Sequence, residues 1–372
     1  MAAPLIILAQ SGRALAEAAR AAGLVPHVID RFGDTDTRAA AETTACVPVS
    51  REGHLDEASV MVAVARLTQG ARVPELVWGG GLEAQPELLI RLRQLCRVRG
   101  SALEGVKLLH DRAALMQSCA RLGIPTACSL RLPSLPRYLR KRAAAAGGDH
   151  IRAMPSGGRP SRVRGEYDEL FIEGIAGSVT LLAYRFGARI LGFNQLLTHG
   201  AGFARSYGYL GAVGHLALTP TQIALCARAG DLIARAWGWR GLCGLDFVLT
   251  PDQRLVFVDF NPRPVATFDL HLDPGAAFSA HLAACHGHSI GATACSGIRG
   301  HRLVEALDPI QIPNSLDWPS WVSDRPGPGE RLAAGVPICT VRAEAADADA
   351  VHVLLETRAA DITRRLAIAC KA

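Results

Sequence analysis

Short apolar runs, broken by glycine-rich and polar stretches, set the rhythm of the chain. Leu5-Ile6-Ile7-Leu8-Ala9 has the length of a buried strand, and the break Ser11-Gly12-Arg13 leads into an alanine-rich stretch that ends at Gly23. Val28-Ile29-Asp30 reads as a second strand, so the chain opens β-loop-α-β, the start of a parallel sheet. Glu75-Leu76-Val77-Trp78 predicts a strand running into Gly79-Gly80-Gly81, with a helix from Pro86 to Leu95. Glycines placed there serve a tight turn or a close backbone approach to a ligand at the carboxyl ends of the strands. Leu115, Met116, Cys119 and Leu122 share one side of a helix capped by Asp111 and stopped by Gly123 and Pro125. Ser178 to Phe186 and Arg189 to Leu197 predict a hairpin about Gly187, and Thr219-Pro220 opens a helix running to about Trp237. From Ile298 the character changes: Pro309 to Pro328 is proline-rich with Trp318 and Trp321, Val336 to Val341 reads as a strand, and Asp347 to Cys370 as a closing helix.

The most informative stretch is Gly241 to Pro264, two β-runs about a turn at Thr250-Pro251-Asp252-Gln253. A turn of that size sets Asp246 opposite Asp259, within one pair. Alternation then assigns Leu245, Phe247, Leu249, Val256, Val258 and Phe260 to the core face. The other face carries Asp246, Asp259 and Asn261, with Val248 and Phe257 between them. Like charges directly opposite each other destabilise a sheet. The pair is either a solvated acidic face or a cation site, and oxygen-only ligands suit Mg²⁺ or Mn²⁺. Asn261-Pro262-Arg263-Pro264 follows directly, so two prolines fix the exit and set Arg263 beside the acids, where its fork could hold a phosphate or carboxylate.

Composition narrows the class. A chain of 372 residues with 49% hydrophobic and 20% charged residues is globular and large enough for two or three domains. The formal net charge of +6 permits anionic ligands without requiring nucleic acid. Ten cysteines occur without a C-x-x-C pair, and no apolar run approaches the roughly 20 residues that span a bilayer. The N-terminus has no basic region of a signal peptide, so reduced thiols in a cytoplasmic protein without membrane partners are expected. The G-x-G-x-x-G of nicotinamide sites is absent after the first strand. His271, His281, His286 and His288 lie close in sequence, but no cysteine pair completes a zinc spacing. Arg131 to Arg164 holds eight arginines and Lys141 against Asp149. Nucleic acid is not the expected partner of that run, because only Tyr138 interleaves an aromatic ring.

G-L-D-F-V-L and V-F-V-D-F-N-P-R-P, at Gly244 to Leu249 and Val256 to Pro264, resemble the metal hairpin of the ATP-grasp superfamily, with Asp259 where glutamate is commoner. D-R-A-A-L-M with L-G-I-P, from Asp111 to Pro125, resembles the opening of the family's small domain, with Arg112 at the usual lysine. Arg152-Ala153-Met154-Pro155-Ser156-Gly157-Gly158 resembles its phosphate strand and loop, with Arg152 at the second lysine, as in carbamoyl-phosphate synthetases. Glu169-Leu170-Phe171-Ile172-Glu173-Gly174 resembles the hinge, which by that match sets Glu169 on the adenine side and Glu173 near the ribose.

The resemblance implies a fold of mixed α/β and α+β layers. It divides the chain into a Rossmann-like domain at 1–103, a small lid at 104–175, a large domain with an antiparallel sheet and the metal hairpin at 176–297, and a closing subdomain at 298–372. It implies ATP and Mg²⁺ or Mn²⁺ as cofactors, with Arg112, Arg152, Ser156, Gly157, Gly158, Glu169, Phe171, Ile172 and Glu173 holding the nucleotide, Asp246, Asp259 and Asn261 the metal, and Arg263 and Arg152 serving catalysis. The implied reaction is ADP-forming ligation of a small carboxylate to an amine through an acyl phosphate, with a homodimer as the assembly to expect. The Ser11 to Ala16 start, Asp30 to Thr37 and Asn194-Gln195 look most like ligases that add glutamate, such as the tyramine–glutamate ligases of methanofuran-type C1-cofactor synthesis. A carboxylase, a carbamoyl-phosphate-type enzyme and a non-catalytic nucleotide-binding relative are the alternatives. Like charges and glycine pairs further predict that Ala143 to Arg164 is a mobile lid.

Overall fold

The computed structural model describes residues 4–370 except 51, 69–72, 131–135, 146, 149, 156–160, 162, 200–206, 289–290 and 292–294. The first layer is a parallel sheet made by the expected β-α alternation. Its elements are β1 (Leu5–Leu8), α1 (Arg13–Ala21), β2 (Pro26–Asp30), α2 (Thr35–Ala40), β3 (Thr43–Cys46), α3 (Glu57–Thr68), β4 (Glu75–Trp78), α4 (Pro86–Leu95) and β5 (Arg97–Arg99), in the strand order β3-β2-β1-β4-β5. The apolar run of β1 is buried on both faces, as a central parallel strand must be. Gly12 is required by close approach: a Cβ there would lie 2.5 Å from Val28, and its N–H donates to Asp30 at 3.0 Å.

Two helices, α5 (Leu103–Leu108) and α6 (Arg112–Leu122), lead to a small antiparallel sheet of β6 (Tyr138–Arg142), β7 (Arg152–Ala153) and β8 (Glu166–Leu170). Asp111 caps α6 by accepting from the Ala114 N–H, and Gly123 closes it in the left-handed region, as its sequence predicts. In the small sheet β6 is central and β7 is an edge. The loop after β6 folds down onto the rest of the molecule: the Tyr209 N–H donates to the Gly147 carbonyl at 2.9 Å. At Gly148 (φ +76) a Cβ would stand 2.1 Å from the Tyr207 carbonyl, so only glycine fits.

The third layer is an eight-stranded sheet in the order β13-β12-β9-β10-β11-β14-β18-β16. It comprises β9 (Ile175–Tyr184), β10 (Gly187–Thr198), β11 (Tyr209–Val213), β12 (Gly241–Leu249), β13 (Leu255–Asn261), β14 (Ile298–Glu305), β16 (Val322–Ser323) and β18 (Pro337–Ala345), with α7 (Pro220–Ala236), α8 (Pro274–Cys285) and α9 (Ala348–Ala369) packed against it. β15 (Ile310–Gln311) and β17 (Arg331–Leu332) pair apart from it. The closing segment therefore extends the sheet that carries the hairpin, through the β11–β14 ladder. One apolar cluster joins Leu15, Ala18 and Val77 of the first layer to Leu182, Leu242, Phe268 and Phe278, so the two large sheets share a core.

The hairpin register is as read, with Asp246 opposite Asp259, but the faces beyond it need correction. Phe247 pairs with Phe257, so Val258 is an extra residue in β13 and forms a bulge. Phe257 thereby turns into the core at 1% exposure, edge-on to Phe247, whereas Val258 is half-buried and lines a cleft. Val256, expected on the same face as Phe247, is opposite Val248 instead. Phe257→Ala should cost about 3–5 kcal/mol in urea unfolding, and Val258→Ala less than half as much. Equal losses would contradict the bulge.

Candidate functional site

One cleft of about 1420 Å³ runs between the three layers. That exceeds the roughly 300–1,000 Å³ common for a single small ligand, so it has room for two. At its middle stands the acidic pair. Asp246 is 3.3 Å from the Asn261 amide, which donates to it, and Asp259 accepts its own strand's Phe260 N–H at 2.9 Å. Burial raises both carboxyl pKa values above the usual range. The neighbouring charge of Asp259 adds to the rise at Asp246, while Lys141, the Phe260 N–H and Arg263 oppose the rise at Asp259. Two carboxylates held face to face at a cost, with a carboxamide oxygen available alongside, fit a hard divalent cation.

Arg263 leaves the hairpin buried among acids. It donates from Nε to Glu83 at 2.9 Å and from Nη1 to the Pro264 carbonyl at 3.2 Å. Burial works against its charge, but Glu83, Asp259 and Asp246 outweigh this and hold its pKa above the ordinary value. Glu83 also accepts from the Gly81 N–H at 2.6 Å, so the triple-glycine loop forms the wall behind Arg263. A Cβ on Gly80 would sit 3.6 Å from the guanidinium carbon.

The small sheet supplies the other basic group, and here the sequence reading is corrected. Arg152 is exposed on the edge strand β7 and is absent from the cleft lining. Lys141, on the central strand β6, is 7% exposed and lines the cleft. Its ammonium and the guanidinium of Arg112 both bond the buried carboxylate of Glu169. Arg112 also stacks over Tyr167 at 4.4 Å. Glu169 is thus sandwiched between two cations that leave the group net positive. A signal for Lys141 was present, a short strand Tyr138–Arg142 with a lysine just before Ala143 to Gly148, but a second glycine pair after Arg152 drew the match away. Ser156, Gly157 and Gly158 lie outside the described residues.

Phe171 and Ile172 line the cleft, Arg137 lies over the Phe171 ring at 4.3 Å, and Glu173 is exposed at the rim with Arg137 3.5 Å away. The loop with Arg205 also lies outside the described residues. The histidines stay dispersed: His271 donates to Asn194 at 2.8 Å, His281 accepts the Leu242 N–H at 3.0 Å, and no metal-holding cluster of three His, Cys, Asp or Glu occurs among the described residues. Burial pulls the pKa of both His271 and His281 down to about 4, so both are neutral spacers. Among those residues no helix is long and apolar enough to cross a membrane.

Residues 114–267 match the family model described as an ATP-grasp domain. No curated protein matches the chain by sequence. Among solved structures, the biotin carboxylase of Campylobacter jejuni in a β-γ-ATP complex is similar at 16% identity and TM-score 0.67, over 94% of this chain and 89% of that one. The N5-carboxyaminoimidazole synthetase of Staphylococcus aureus complexed with ADP is similar at 13% identity and TM-score 0.68, over 96% and 97%. The biotin carboxylase domain of the Hydrogenobacter thermophilus 2-oxoglutarate carboxylase, with MgADP and bicarbonate, is similar at 16% and TM-score 0.68, over 92% and 86%. Identities this low speak for a common fold.

Asp259→Asn should raise the melting temperature of the metal-free protein by removing one of two facing charges, and should weaken Mn²⁺ binding at least tenfold by calorimetry. A lower melting temperature together with unchanged Mn²⁺ affinity would make the pair structural.

Proposed function

Because residues 114–267 form an ATP-grasp domain, we propose that the protein is an ATP-dependent, ADP-forming ligase that joins a small carboxylic acid to an amine. The observation that carries this reading is the convergence of Asp246, Asp259, Asn261, Lys141 and Arg263 on one cleft large enough for a nucleotide and a second substrate. Asp246, Asp259 and Asn261 would hold Mg²⁺ or Mn²⁺, which supplies charge neutralisation for the phosphates. Lys141, with Arg112 behind it, faces the same phosphates. Phe171 and Ile172 are suited to the adenine side, and Glu173 at the rim is left to contact the ribose only if the lid moves.

In the proposed reaction a substrate carboxylate oxygen bonds to the γ-phosphorus as the bond to the bridging oxygen of ADP breaks. The neutral amine nitrogen then attacks the acyl carbon, phosphate leaves with the former carboxylate oxygen, and the nitrogen gives up one proton to the departing phosphate. No protein nucleophile takes part. The chain's own work is to position reactants and offset charge. Attachment of glutamate or a similar amino acid in methanofuran- or methanopterin-type cofactor synthesis, in the cytoplasm and as a homodimer, is the finer form of this proposal. A carboxylase reading rests on the likeness to biotin carboxylases.

ADP release measured over a panel of amino acids and amines, with and without bicarbonate, tests the reading. Amine-dependent release supports the ligase, and release that needs bicarbonate instead replaces it with the carboxylase. Within that assay, Lys141→Met should lower kcat/KM for ATP tenfold to a hundredfold, as expected for losing about 1.5–3 kcal/mol of charge-assisted bonding. Arg152→Ala should change it less than about threefold. The opposite ranking would return the phosphate role to Arg152.

A further inference from the structure

The cleft continues past the acidic pair into a region lined by the first layer and the closing segment, including Arg13, Asp34, Asp324 and Glu330. Asp34 and Asp324 line it, with Asp30 and Asp36 close behind, and the three besides Asp34 all have a protein donor. Asp30 accepts the N–H groups of Gly12 and Gly33, at 3.0 and 2.8 Å. Asp36 accepts the Arg325 N–H at 3.2 Å with one oxygen, while its other oxygen, buried without a hydrogen bond, lies 3.7 Å from the Arg325 guanidinium. Asp324 takes two bonds from Arg13, at 2.8 and 3.3 Å.

Asp34 is different. It is 6% exposed, and it has no hydrogen-bond or salt-bridge partner among the described residues. It stands at the N-cap of α2, yet its side chain does not cap that helix. An aspartate normally spends its carboxylate there. This one lines the cleft instead. A buried, unbonded carboxylate costs stability and is kept where a ligand satisfies it.

We propose that Asp34 receives an ammonium group of the amine substrate other than the nitrogen that attacks the acyl carbon, in a subsite beside Asp324 and Glu330 at the end of the cleft away from Lys141. The proposal rests on the ligase reading of the same cleft and names the charge of its second substrate. Two of the cations that line the cleft are already engaged: Arg13 bonds Asp324 and Glu17, and Arg299 bonds Glu344. A primary ammonium offers three donors, and Asp34 can take one with no protein donor among the described residues competing for it. Burial, and then Asp324, Asp36, Asp30 and Glu330, push the empty carboxyl of Asp34 up to about 8. The cost of its ionisation is therefore absent near pH 4, grows as pH rises, and is complete above about pH 8. A bound ammonium removes that cost.

The test uses the full-length protein and its Asp34→Asn variant, which keeps the side-chain shape. Thermal shift and calorimetry with n-butylamine and benzylamine are compared with n-butanol and benzyl alcohol, and Mg-ATP affinity is measured separately. The expected result is that the amines stabilise wild type and the alcohols do not, while the variant binds the amines at least tenfold more weakly with unchanged Mg-ATP affinity. The ligand-free variant should also melt higher than wild type, by a margin that widens from pH 5 to pH 8.5. Equal amine binding by the two proteins, or no amine binding by wild type, would overturn the proposal. Failure of wild type to bind Mg-ATP would instead count against the ligase reading and leaves the amine comparison readable by itself.

Discussion

The bond between Arg263 and Glu83 holds the site in one piece. The parallel sheet and the eight-stranded sheet share apolar packing but no ladder of hydrogen bonds among the described residues. At the cleft floor a guanidinium from the hairpin exit meets a carboxylate from the turn after the triple glycine, and both are largely buried. Removing one member of such a pair strands a charge in a low-dielectric place, which is why breaking buried pairs is expensive even when forming them gains little. The prolines on either side of Arg263 leave it little choice of direction. Asp259, four residues upstream, and Asp246, paired with it across the hairpin, inherit that placement.

The small sheet repeats this arrangement with the signs reversed. Glu169 sits between Arg112 on α6 and Lys141 on β6, so a carboxylate organises two cations in place of a cation organising acids. The excess positive charge faces the excess negative charge of Asp246 and Asp259 across the cleft. Such a field draws in a polyanion escorted by a divalent ion, and it disfavours either one alone.

Much of this was legible in the residues. The Asp246–Asp259 pairing followed from turn length and alternation, and the opening β-α pattern gave the parallel layer. The Val258 bulge was not legible, because one extra residue leaves the apolar pattern of β13 intact while reversing the faces of Val256 and Phe257. Lys141 was overlooked for a different reason. Two glycine pairs, 147–148 and 157–158, each follow a strand with a basic residue. Only the strand order β7-β6-β8 tells which strand is central, and that order depends on contacts with β8 that local sequence does not reveal. Asp34 was not singled out within Asp30 to Thr37, because its surroundings include Asp324 and the partner of its neighbour Asp36, Arg325, some 290 residues away.

The β11–β14 ladder makes the closing segment an extension of the hairpin's own sheet, whereas the small sheet has no such continuity with either large one. Mechanical freedom is therefore unevenly distributed. Opening the cleft from the closing side means tearing a continuous ladder, but lifting the loop at Gly147 and Gly148 means parting a few backbone contacts with Tyr207 and Tyr209. That loop is the side of the cleft with the least to break. Loosening the contacts of this loop with Tyr209 will then register in the rates of ligand exchange before it registers in the melting of the whole chain.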